Sequence, residues 1–513
     1  MIYLISLYLL FYFFLAWRRL DWAVLIIIAA LPSYLIRFSI LGIPLTLLET
    51  MILISFTVWF IANFNELKAN LANLFKRQVE KRKVAYPFRY EIILMLIISY
   101  LVAAFSGFSD SALGIWKAYF FEPILLFIII INIFKASDIG KIIWAFLISA
   151  LAVSLAAIYQ KITGYFIFNE FWAASETRRV TSFFGYPNAV GLYLGPLILI
   201  FFGWLADAVS EVKWNKKIFN FPQHRQAKRG GQFSIFKQFS ITNYQFPKII
   251  LISLTIMLSI LSIYFAKSVG ALVGIGAGLI VFGLLAGRKT RLITIALVLS
   301  VAIAVSFYQP FRQTAYKYLT LNNFSGQIRK LQWRETWKIL KDGRMITGAG
   351  LANYQKSVAP YHQEGFFYNK NNDPDFHKKI AFNADYRKKV WQPLEVYLYP
   401  HNIFLNFWSE LGLAGMLLFI WIFIKFYYLG FKILIGNCHR LGGVPLRREK
   451  LEIGNLQTIT GRYFVLGLLG AMTVIIIHGL VDVPYFKNDL AVMFWVLVAM
   501  LGIIDLEAKK SKV

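Results

Sequence analysis

Apolar residues occupy this chain in long runs separated by shorter polar interruptions. A hydrocarbon core of about 30 Å takes about 20 helical residues to cross, and about thirteen runs approach that length, centred near residues 9, 29, 54, 99, 124, 151, 197, 257, 277, 299, 414, 472 and 496. The pattern predicts an all-α polytopic membrane protein of about 12–14 helices. No soluble core of comparable size is left between them. The longest interruption, residues 309–400, divides an N-terminal bundle over 1–308 from C-terminal helices over 401–513. Within it, "LQWRETWKILKDGRMITGAGLANYQ" has a helical pattern stopped by Gly348 and Gly350, whereas Asn369 to Lys379 reads as a polar turn.

Composition agrees with the pattern. Of 513 residues, 58% are hydrophobic and 16% charged, against about 25% charged in an ordinary soluble protein. The first run, Met1 to Trp17, is followed by Arg18 and Arg19 instead of being preceded by charge, and it lacks a small-residue cleavage site, so it reads as a retained helix and not a signal peptide. The single cysteine, Cys438, falls in a basic loop and excludes an intramolecular disulfide.

A net charge of +28 raises nucleic acid as a partner. The basic residues are instead distributed among the connections, where they record topology. They cluster from Lys68 to Arg89, Lys213 to Lys248, Arg288 to Arg291, Lys425 to Arg462 and in the tail "EAKKSKV". Placing all five in the cytoplasm gives a consistent alternation, with the N-terminus outside. The segments Tyr165 to Pro187 and Gln309 to Pro400 then face outward. The second is itself basic, and a positive surface there suits phosphate or acidic glycan.

Four stretches carry candidate chemistry. In "YPHNIFLNFWSELGLAG", Pro400 is expected in the first turn of a helix, with His401 and Asn402 at its mouth. A neutral histidine there can take a proton as a general base, or simply satisfy a backbone carbonyl. Asn402, Asn406 and Glu410, four apart, form one stripe toward neighbouring helices, which suits interhelical hydrogen bonds. In "TRRVTSFFGYPNAVGLYLGP", Arg178 and Arg179 precede a turn, Pro187 and a capping Asn188. Arginine binds phosphate bidentately, and it equally meets phospholipid headgroups. In "FAKSVGALVGIGAG", Lys267 lies at the outer boundary and either binds an anion or snorkels. Lys117 with Glu122, and His478 with Asp482, are buried pairs near the same surface. No phosphate-binding P-loop, zinc-spaced Cys/His set or HExxH is found, and the only outer acids with a metal-site look, Asp373 and Asp375, lie in a turn, so no metal or other cofactor is expected.

With these residues assembled, the chain resembles the O-antigen ligase and O-antigen polymerase superfamily, which includes protein O-oligosaccharyltransferases. His401, Asn402, Leu405, Glu410, Gly412 and Gly415 fit its His-Asn and Glu-x-Gly-x-x-Gly hallmark. Arg179, Pro187 and Asn188 are similar to its arginine-led segment, and Arg329, Trp333, Gly348 and Gly350 to its Arg-x-x-x-Trp and Gly-x-Gly signature. Many members read Ser-Arg-Gly-Ala where this chain has Ser268, Val269, Gly270 and Ala271, so one arginine is absent and Lys267 is its candidate substitute.

The resemblance implies a metal-independent, inverting glycosyltransferase. An undecaprenyl-diphosphate-linked glycan would pass to an acceptor hydroxyl on a lipid or a glycan, outside the bacterial cytoplasmic membrane. His401 would be the base, and Arg178, Arg179, Lys267, Arg329, Arg334 and Asn402 would hold the diphosphate or substrate. Alternatives are a protein O-oligosaccharyltransferase, a non-catalytic scaffold, and a transporter or flippase, which should show broken helices near the bilayer midplane. Membrane lipids are the remaining expected partner, and nucleic acid is not one.

Overall fold

In the computed structural model of the protein, residues 2–40, 42–75, 86–219, 233–439 and 461–510 are described. The segments 76–85, 220–232 and 440–460, which hold much of three predicted cytoplasmic basic clusters, lie outside these, as does the end of the tail. Chain order runs α1 (Ile2–Arg18), α2 (Leu20–Ala29), a hairpin of β1 (Arg37–Ile40) and β2 (Ile43–Thr46), α3 (Leu47–Phe75), α4 (Arg89–Phe105) and α5 (Asp110–Trp116). A π-helical turn at Lys117–Phe121 joins α5 to α6 (Glu122–Ile133). Then come α7 (Ile139–Thr163), α8 (Glu170–Ala173), α9 (Pro187–Phe219), α10 (Phe233–Phe265), α11 (Val269–Ala286) and α12 (Arg288–Phe307). The long loop contains α13 (Gln309–Leu319), α14 (Phe324–Ile339), α15 (Tyr354–Val358), β3 (Gly365–Phe367), α16 (Phe376–Phe382), α17 (Ala384–Val390) and β4 (Trp391–Pro393), with β3 and β4 antiparallel. The chain ends in α18 (Ile403–His439), α19 (Arg462–Gly479) and α20 (Asn488–Lys510).

Every predicted apolar run is helical, and 10 spans among the described residues are long and apolar enough to cross a membrane. The protein is therefore a multi-pass, all-α membrane protein. The runs near 9, 29 and 99 form the shorter α1, α2 and α4, and Cys438, expected in a loop, falls in the last turn of α18. Arg18 ends α1, Arg19 separates it from α2, and Asp21 pairs with Arg19 at 3.0 Å.

Three helices form the centre. The apolar windows of α20, α9 and α19 are 94%, 83% and 78% buried, whereas α12 buries no residue and so lies at the periphery. Close approach holds α9 against α19, because a Cβ on Gly203 would stand 2.9 Å from the Cα of Gly467. Without a hydrophobic drive between helices in lipid, such small-residue contact supplies the packing energy. At one end of this centre, the Asp207 carboxylate of α9 accepts from the Tyr463 and Phe464 N–H groups and so caps α19.

At the other end, the starts of α3, α9, α18 and α20 meet the ends of α10 and α19. Asn488 donates to Glu49 at 3.0 Å, Asn188 to Asp482 at 3.1 Å, and Asn402 to the Leu480 carbonyl at 3.1 Å. The loops between α7 and α9 and between α12 and α18 both arrive here. Lys117, expected to pair with Glu122, instead pairs with Glu49 at 3.3 Å. The π turn widens the helix between Lys117 and Glu122, and Glu122 stays buried.

α18 is interrupted. Gly412 has φ +72° and ψ −178°, which breaks the helix nine residues after its start. The loop backbone fills the gap: Leu413 N–H donates to Ile346 O (2.9 Å), and Ala349 and Gly350 N–H donate to Ser409 O (2.6 and 3.3 Å). Gly348, at φ +69°, fits because a Cβ would stand 2.5 Å from the Trp408 carbonyl oxygen. Glu410 completes the joint by accepting from Ala352 N–H at 2.8 Å. Its partner is thus loop backbone and not another membrane helix. Leu413 to Ile435 alone spans about 34 Å at 1.5 Å per residue, enough for the hydrocarbon core. The stripe of Asn402, Asn406 and Glu410 therefore sits beyond the segment that needs to cross.

This joint can be tested against Gly343, which has a similar φ of +76° but open space where a Cβ would go. Gly343→Ala should cost about 1–2 kcal/mol of backbone strain. Gly412→Ala should cost more, because its Cβ would stand 2.4 Å from Ile346 O. Thermal unfolding of the two variants in detergent measures the difference.

Candidate active site

His401 does not belong to a helix. α18 starts at Ile403, three residues after Pro400, which was expected in its first turn. Asn402 is the cap, its Oδ1 accepting from the Phe404 and Leu405 N–H groups at 3.0 Å each. Its amide also donates to Leu480 O, which ties the start of α18 to the end of α19. His401 holds φ +46°, a left-handed conformation uncommon outside glycine. The turn lifts its half-buried imidazole out of the helix and toward α14.

α14 presents one face to it. Arg329, Gln332 and Thr336 follow one another at spacings of three and four, which places them on one stripe. Gln332 Oε1 lies 2.9 Å from His401 Nδ1. Arg329 Nε donates to Val481 O at 2.6 Å, which crosslinks the long loop to the turn after α19. Arg334, five residues after Arg329, is rotated off this stripe and exposed. Trp333 is half-buried on the same helix, and Gly415 packs against Leu411 within α18.

From the other side comes Arg179. It donates through Nε to Ala266 O at the end of α10 (3.0 Å) and through Nη2 to Asn188 Oδ1 (3.2 Å). Asn188 passes its amide to Asp482 Oδ2, and Asp482 Oδ1 accepts its neighbour Val483 N–H. Asp482, expected to pair with His478, thus bridges to α9 and leaves the imidazole of His478 against Gly270. Pro187 starts α9, where its missing N–H costs nothing.

Arg178 and Lys267 are not gathered into this cluster. Arg178 turns back to the carbonyls of Lys161 (3.1 Å) and Ala173 (3.1 Å), closing the end of α7. Lys267 occupies a positive-φ turn at 53° and is exposed. The sequence did not single out Lys487. It is half-buried, with its ammonium buried 4.1 Å from the Phe184 ring centre and 3.7 Å from Asp489. A lysine in "PYFKND" between two apolar runs was the available signal.

The electrostatics are those of two desolvated cations and one carboxylate. Burial lowers the pKa of Arg179, and repulsion from Arg329 lowers it further. Burial likewise lowers Arg329, opposed by Asp482. For His401 burial is the largest influence and pushes the imidazole below its ordinary 6.5; Asp482 raises it and Arg329 lowers it. The ring is thus held neutral beside partly unpaired guanidinium N–H groups, a combination able to accept a proton while binding an anion.

Arg178→Ala should orphan helix-end carbonyls and lower stability by about 1.5 kcal/mol or more, whereas exposed Arg334→Ala should stay within about 0.5 kcal/mol of the parent. Unfolding midpoints of both, read against Arg179→Ala, separate structural from site arginines.

No curated protein matches the chain. Residues 254–420 match the family model described as O-Antigen ligase. The matched segment runs from α10 through Lys267, Arg329, His401 and the Gly348–Gly412 joint into α18. Covering about a third of the chain, the match supports, at the level of the family, a glycosyltransferase of the O-antigen ligase or polymerase type.

Proposed function

We propose that the protein transfers a glycan from an undecaprenyl-diphosphate carrier to an acceptor hydroxyl at the outer face of the bacterial cytoplasmic membrane. The observation that carries this reading is the convergence of neutral His401 with Arg329 and Arg179 around Asp482, at the end of the helix bundle where both long loops arrive. His401 takes the proton of the acceptor hydroxyl as its oxygen attacks the anomeric carbon. The bond from that carbon to the diphosphate oxygen breaks, and its electron pair leaves with the lipid diphosphate. Arg179 and Arg329 stabilise the charge gathering there. Attack opposite the leaving group inverts the anomeric centre, and no step calls on a metal.

A lipid core or a growing glycan is the favoured acceptor; a protein hydroxyl is the alternative. A transporter was expected to break its helices near the midplane, whereas α18 breaks at Gly412, outside the Leu413–Ile435 stretch that is long enough to cross. The backbone groups freed there are occupied by the loop and do not line a pathway.

Purified protein given the lipid-linked glycan and candidate acceptors from its own cell's membranes should transfer at a rate that falls about 10²- to 10⁴-fold in His401→Ala. Unchanged transfer would remove the proposed base, and the acceptor consumed names the subclass. The pH profile has a definite sign. A depressed imidazole pKa means the neutral, competent form persists below 6.5, so the acid limb should lie there. Asp482→Asn removes a charge that raises this pKa and should move the limb to still lower pH.

A further inference from the structure

His401 is poorly fixed by its own backbone, since it precedes the first turn of α18 in a left-handed conformation. Two rings confine the imidazole: Tyr397, 5.4 Å away and nearly perpendicular, and Tyr399, 4.9 Å away and tilted. Aromatic contact limits where the ring sits but does not choose which nitrogen carries the proton. That choice falls to the hydrogen bond at Nδ1.

We propose that Gln332 is the positioning residue of this site, its side-chain carbonyl holding His401 in the Nδ1–H tautomer so that Nε2 is the nitrogen that takes the acceptor's proton. This rests on the reading of His401 as the base. An amide oxygen accepts and cannot donate, so Oε1 at 2.9 Å from Nδ1 assigns the proton to Nδ1. Gln332 is 4% exposed, and the only hydrogen bond of its side chain among the described residues is the one to His401, its Nε2 being buried without a partner. Its backbone is fixed: the carbonyl accepts from Thr336 Oγ1 at 2.7 Å, which is in turn bonded to the Tyr354 hydroxyl at 2.8 Å.

The choice of an amide over a carboxylate has a physical reason. A carboxylate at this position would stabilise the imidazolium and add negative charge where a diphosphate has to enter. A neutral carbonyl orients the ring and does neither. When Nε2 takes a proton from the acceptor oxygen, the Nδ1–H bond to Gln332 persists and strengthens as the ring becomes charged. The proton then passes from Nε2 to solvent and restores the starting tautomer. The groups that act on the ring, besides Gln332, are Asp482 and Arg329 with opposite signs and the Tyr399 backbone.

The test compares Gln332→Ala, Gln332→Glu and His401→Ala in the full-length protein, using lipid-linked glycan and acceptor extracted from its own cell's membranes. Gln332→Ala should lower kcat about 10- to 100-fold, a part of what general-base catalysis supplies, with donor KM little changed. Gln332→Glu, when ionised, can only accept at Nδ1, so over that pH range it should recover much of kcat, with the acid limb displaced to higher pH and donor KM raised. Wild-type kcat in Gln332→Ala, or a Gln332→Glu enzyme no faster than Gln332→Ala at any pH, overturns the assignment. The second outcome is also what an amide donating to Nδ1 would produce. Should Gln332→Ala lose its monodisperse elution, the pH displacement in Gln332→Glu decides alone. An active His401→Ala defeats the base reading itself, whereas an inactive His401→Ala with normal Gln332→Ala defeats only the role of Gln332.

Discussion

The backbone joint between the long loop and the break in α18 organises everything around it. Leu413 N–H, freed by the turn at Gly412, donates to Ile346, while Ser409 O accepts the N–H groups of Ala349 and Gly350. Unsatisfied backbone groups near a bilayer cost several kcal/mol each, so a membrane helix can be broken here only because the loop supplies partners. The loop, in return, is held at one height above the bundle. Its helix α14 then places Gln332 against His401 and Arg329 against the turn after α19. Gly348 and Gly412 are the residues through which the two backbones approach closely enough for this exchange.

The charged groups follow a second constraint. Arg179 and Arg329 are each anchored through Nε to a carbonyl oxygen, of Ala266 and Val481. Anchoring by backbone oxygen leaves the positive charge uncancelled, whereas pairing with acids would have neutralised it. Asp482 is the carboxylate felt by both Arg329 and His401, and Asn188 and Val483 N–H already take its oxygens. The result is a site with excess positive charge, suited to an anionic group. Lys487 contrasts with the arginines: it pairs with Asp489 and sits behind the aromatic wall of Phe184 and Tyr186.

Much of this was legible before the fold. The apolar runs near 54, 197 and 496 became α3, α9 and α20 because about 20 consecutive apolar residues have one stable solution in a bilayer. His401 and Arg179 stood out as polar groups beside apolar runs, Arg329 only through the family resemblance, and the structure gathers all three. Pairings read from sequence proximity fared worse. Lys117 with Glu122 and His478 with Asp482 are close along the chain, yet Lys117 reaches Glu49 and Asp482 reaches Asn188. Arg178 and Arg179 looked equivalent, but successive residues of an irregular segment point in different directions, and only Arg179 faces the cluster.

The sequence by itself determined the membrane class, the order of helices and the residue types from which a site could be built. Hydrophobic run length and charge placement act locally and need no partner to be read. Only the tertiary structure decided the tasks of those residues: Glu410 holds Ala352 of the loop, Asn402 caps α18 and ties it to α19, and Gln332, unremarked in the sequence, meets the histidine from 69 positions away. Such assignments depend on directional hydrogen bonds between distant segments. Their partners are settled by which backbone donors and acceptors packing leaves unpaired, and that quantity does not exist until the helices and the loop have met.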